Sequence, residues 1–60
     1  MNWYTFTASM FDDWRDKYLV YVEASSMKSA YNKLDQAGYA DYKYTERPSA
    51  YSHLDNDELR

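Results

Sequence analysis

The chain has no cysteine and only one glycine, one proline and one histidine among its 60 residues. Without cysteine no disulfide can staple the fold and no thiolate can hold a metal. One glycine cannot make a glycine-rich phosphate loop, which excludes the common nucleotide and nicotinamide sites. No apolar run approaches the roughly 20 residues that a membrane span needs. The N-terminus has no basic region followed by an apolar stretch, so no signal peptide is read there and the expected compartment is cytoplasmic.

Aromatic mass is what the chain has instead. Eight Tyr, two Trp and two Phe make up 20% of it. Aromatic side chains bury large areas, but each Tyr hydroxyl must find water or a partner, so eight tyrosines cannot all be core. A domain of this size buries only roughly 60% of its unfolded surface. There is room for one small core and none for a deep active site. The net charge of −3 counts against a binder of phosphate backbones, which would show a basic face.

The pattern of residues predicts an α+β fold of order β-β-α-β in one domain, residues 1–48. Asn2 to Ala8 is aromatic and β-branched, which suits a strand with Tyr4, Phe6 and Ala8 facing the core. Ser9 to Asp16 reads as a long polar-acidic connection. Lys17 to Ala24 is a second strand with Tyr18, Val20, Val22 and Ala24 inward. Ser25 or Ser26 caps a helix. Its stripe of Met27, Ala30, Tyr31, Leu34 and Ala37 has helical spacing, and Gly38 stands where a left-handed stop is expected. In the third strand, Tyr39 to Arg47, Ala40, Tyr42 and Tyr44 alternate with Asp41, Lys43 and Thr45; Pro48 ends it. With the first strand central, the three form an antiparallel sheet of order 2-1-3 with one helix on one face. Residues 49–60 form an acidic tail, either disordered or a short helix docked through Tyr51 and Leu54.

Catalytic chemistry finds little purchase. Ser52, His53 and Asp55 can be assembled into a triad only on paper, because such triads require held geometry. Asp12, Asp13 and Asp16 lack the glycine and closing glutamate of a calcium loop, and Arg15 lies among them. The expectation is a protein that is not an enzyme, with no catalytic residue, no cofactor and no metal.

What remains is surface. The sheet face away from the helix presents Trp3, Leu19, Tyr21 and Lys43, and an apolar patch with a polar rim marks an interaction site; alternatively the tail, a dimer mate or the aromatic loop covers this face. The loop Met10–Asp16 is a second candidate. Phe11 and Trp14 are three apart, so one helical turn would set them on one side with Asp12, Asp13 and Asp16 around them. Alternatively both fold inward and close the end of the core.

A chain of about this length with this element order, a long first connection and Arg47-Pro48 closing the third strand resembles small phage-encoded host-takeover proteins. The small inhibitors of bacterial RNA polymerase from T7-like phages share the order and the strand-to-cap entry seen at Val20–Ser26. Their third strand ends in Arg-x-Arg-Pro, where this chain has Thr45-Glu46-Arg47-Pro48. Small anti-CRISPR proteins look similar at the same level. The resemblance implies an inhibitor that occludes a host protein complex, RNA polymerase or a defence nuclease, in the host bacterial cytoplasm. Arginines of the third strand, here Arg47, and an acidic strip would make the contact. Two rivals stand beside it: a single-stranded nucleic-acid binder that stacks bases on Trp3 and Tyr21, and a homodimer that pairs open sheet faces.

Overall fold

A computed structural model describes all residues, Met1–Arg60. Strand β1 (Asn2–Met10) pairs antiparallel with β2 (Asp13–Ala24), and helix α1 (Met27–Gln36) leads to β3 (Tyr39–Tyr44). A 3-10 helix, Pro48–Tyr51, precedes a last strand, β4 (Asp55–Leu59). The sheet order is β3-β1-β2-β4, so β1 is central among the first three strands, as the pattern predicts.

Two expectations fail. The sheet has four strands rather than three, and it is mixed, because β4 runs parallel to β2. The segment 49–60 is therefore not a disordered tail, nor a helix throughout: it begins in the 3-10 helix and ends in β4. Asp, Asn and Glu are poor strand formers, and nothing local in Asp55–Leu59 signals the pairing. The edge of β2 supplies it, by matching Tyr18–Val22 with Asp55–Leu59.

The core lies between the sheet and α1. Phe6, Ala8, Val20, Val22, Ala24, Ala30, Leu34 and Tyr39 form one buried cluster. Full burial of side chains such as Phe6, Val20, Val22 and Leu34 stabilises by about 1.5–3 kcal/mol each. The Ser26 hydroxyl accepts from the Ser29 amide at 3.2 Å and caps α1. Gly38, at φ 88°, takes the left-handed stop.

Strand β3 departs from simple alternation. Its pairing with β1 shifts register between Thr7 and Ser9, and opposite this bulge Asp41 adopts φ 52°. An aspartate tolerates that left-handed conformation better than most residues. The bulge turns Tyr39, rather than Ala40, to the helix side with Tyr42 and Tyr44. Tyr39 is buried there, and its hydroxyl donates to the Asp57 carboxylate of β4. One side chain thus reaches across β1 and β2 and ties the two edges of the sheet together.

Because β3 and β4 lie at opposite edges, the chain between them must cross the sheet. It passes over the face away from α1, where the 3-10 helix meets β1. Leu19 lies on that face, outside the main core cluster, and is only 2% exposed.

Candidate functional site

The connection between β1 and β2 is a two-residue turn, Phe11-Asp12, not a long loop. The strands continue almost to it. Ser9 pairs with Lys17 and Met10 with Asp13, so Trp14, Arg15 and Asp16 have no partners on β1 and bulge from β2. The buried Ser9 hydroxyl donates to the Trp14 carbonyl at 3.3 Å and holds the bulge. As a result Trp14 is 77% exposed and Phe11 82% exposed. The reading in which both close the core is overturned; Met10, Tyr18 and Tyr39 pack at that end instead.

The tip is fastened to the rest of the molecule. The Phe11 amide donates to the Gly38 carbonyl at 2.7 Å, tying the turn to the end of α1. Lys17 reaches over β1 to Asp41 on β3, 3.3 Å away. Arg15 stands 4.0 Å from Asp13, its own side chain largely in water and that of Asp13 half-buried. Asp12 and Asp16 are exposed and have no ion-pair partner. The tip therefore presents two aromatic rings on a pinned backbone, surrounded by more carboxylates than cations.

Beside it runs a shallow groove of about 510 Å³, lined by Phe11, Gly38–Tyr42 and Asp35. The Tyr42 hydroxyl donates to Asp35 at 2.9 Å. That hydrogen bond to a carboxylate is the main reason the Tyr42 phenol is pushed above its ordinary value. For Tyr39 burial is the larger cause, followed by its bond to Asp57, and its phenol too is pushed up.

The sequence candidates divide into two places. Asp12, Asp13, Trp14 and Asp16 gather at the tip. Trp3, Tyr21, Lys43 and Arg47 belong to the far face or to the opposite end. Trp3 is 47% exposed, with the Arg60 guanidinium 5.9 Å from its ring centroid, while Tyr21 is half-buried. The Arg47 amide donates to Thr45 Oγ1 just beyond β3, and both Lys43 and Arg47 are exposed. Leu19 is lost as a surface residue: it is buried, on the face that the β3–β4 crossing spans. That crossing breaks up the expected Trp3–Leu19–Tyr21 patch. Ser52, His53 and Asp55 make no side-chain hydrogen bonds with one another.

Asp35, Asp41 and Tyr42 are site residues that the sequence did not single out. One signal was present: an aspartate in the last turn of a helix faces the negative end of the helix dipole, an adverse placement. No helix is long and apolar enough to cross a membrane. Comparisons with protein-family models, curated proteins and solved structures find no match to this chain.

Proposed function

We propose that this is a non-enzymatic binding protein that docks its hairpin tip on a partner protein and occludes the surface it covers. The resemblance in the sequence makes the partner a bacterial host complex, RNA polymerase or a defence nuclease. The observation that carries the reading is the exposure of Phe11 and Trp14 on a backbone pinned to Gly38 and Ser9. Large aromatic side chains cost free energy when left in water, and Trp is among the commonest hot-spot residues. A pinned backbone loses little entropy on docking. The surrounding aspartates suit a basic groove and favour association and orientation more than affinity.

The test is capture from a bacterial lysate by the wild type beside a Phe11→Ser/Trp14→Ser variant, followed by an activity assay of the captured complex. A complex retained only by the wild type, and inhibited by it, supports the reading. Equal retention by both proteins overturns the tip as the contact. Failure to capture any protein, together with a shifted oligonucleotide in a gel or a dimer mass in light scattering, replaces it with one of the two rivals.

A further inference from the structure

The groove beside Phe11 has a chemistry of its own. Its lining holds two carboxylates, Asp35 and Asp41, and no lysine or arginine. Lys17 compensates Asp41 from outside the lining. Asp35 has no ion pair, and the nearest lysine in sequence, Lys33, is turned away to donate to the Glu23 carbonyl. The C-terminal end of α1 opens at Gly38, so the negative end of the helix dipole adds to the same field. The Tyr42 hydroxyl satisfies one Asp35 oxygen and holds the carboxylate in place. Phe11 provides an aromatic wall whose backbone is fixed by the Gly38 carbonyl.

We propose that this groove receives an arginine side chain of the protein that the tip engages, with the guanidinium against the Phe11 ring and hydrogen-bonded to Asp35. A guanidinium is planar, stacks on aromatic faces and pairs with carboxylates through a fork of donors, whereas an ammonium does neither in a fixed plane. Charge complementarity selects the occupant: an uncompensated carboxylate, a second half-compensated one and a helix carbonyl end all favour a cation. The inference rests on the tip-docking reading and adds to it the chemistry of the residue recognised.

A short blocked peptide, Gly-Ala-Arg-Ala-Gly, is titrated into the 15N-labelled protein and amide shifts are followed by NMR. Saturable shifts are expected at Phe11, Asp35 and Gly38–Tyr42. The same peptide with citrulline for arginine, neutral but of the same shape, should bind at least about tenfold more weakly. Asp35→Asn, which keeps an acceptor for Tyr42, and Phe11→Ala, at an exposed position, should each weaken the arginine peptide by about five- to tenfold with the rest of the spectrum unchanged. Equal shifts with citrulline, or shifts centred on Asp12 and Asp16, overturn the groove. The two readings fail separately. If Phe11→Ser/Trp14→Ser abolishes capture of the partner and Asp35→Asn leaves it untouched, the groove falls and the tip stands. If the arginine peptide binds as described and capture is indifferent to Trp14, the groove stands as an arginine site and occlusion by the tip falls.

Discussion

Tyr39 links the most distant parts of the sheet through one hydroxyl. In Tyr39→Phe the Asp57 carboxylate loses a charge-assisted donor in a half-buried place, at a cost of about 1–3 kcal/mol. For a domain of this size that lowers Tm by roughly 4–8 °C per kcal/mol, measurable by thermal denaturation. The pH dependence has a definite sign. The folded phenol is raised above its ordinary value of 10.0, by burial first and the Asp57 bond second, so the fold favours the neutral form. That contribution is complete below pH 10 and is lost as pH climbs from there toward the raised folded value. The stability gap between wild type and Tyr39→Phe should therefore narrow above pH 10 in denaturant titrations. Asp41 makes a second case. At φ 52°, Asp41→Val should cost about 1–2 kcal/mol, because a β-branched residue resists the left-handed region. Asp41→Gly should be near neutral, the relief of strain offsetting loss of an exposed ion pair with Lys17. Equal effects from the two would show that the bulge is not held by its backbone conformation.

At the scale of elements, the sequence made α1, β2 and the central place of β1 legible for clear physical reasons. The serine cap, the stripe through Ala30 and Leu34, and the glycine stop are local signals, and local chemistry decides them. The last two residues of β1, Ser9 and Met10, and the start of β2, residues 13–16, were hidden because Asp12, Asp13 and Asp16 look like loop, while pairing across a tight turn overrides that preference. Strand β4 was hidden for a related reason: an acidic segment becomes a strand only because β2 offers an edge. The site followed the elements. Trp14 and its aspartates could be picked from composition, but Asp35 and Asp41 join them only through the β3 bulge and the hydrogen bond that places the Phe11 turn against Gly38. The crossing from β3 to β4 carries its own test. Leu19→Ala removes a buried side chain beneath it and should destabilise by about 2–5 kcal/mol. An exposed strand residue on an uncovered face would change stability by no more than about 0.5 kcal/mol in chemical denaturation.

For the whole molecule, dimensions and charge constrain how it would meet the proposed partner. It measures 29 × 25 × 15 Å, a thin plate with the hairpin tip at one end. A plate that presents an end docks through a small area, so affinity must come from a few anchored side chains rather than extent. With a net charge of −3 and carboxylates concentrated around Phe11 and Trp14, association with a basic groove should slow as ionic strength rises. Dissociation should change much less, since the aromatic contacts are not screened. Stopped-flow or surface-plasmon kinetics over a range of salt would separate the two, and a salt-independent association rate would assign recognition to the rings alone.

The acidic composition of β4 has a consequence for crowded solution. An edge strand offers unpaired backbone groups to any passing chain, and charged side chains are a common means of discouraging that pairing. Here Asp55 and Glu58 lie on the outermost strand, and both are exposed. They act as a colloidal guard for a protein that otherwise shows bare tryptophan and phenylalanine to solvent. Asp55→Asn/Glu58→Gln, which leaves the Tyr39–Asp57 bond intact, should keep the fold and its circular dichroism. The same variant should assemble edge to edge into thioflavin-positive particles at concentrations where the wild type stays monodisperse.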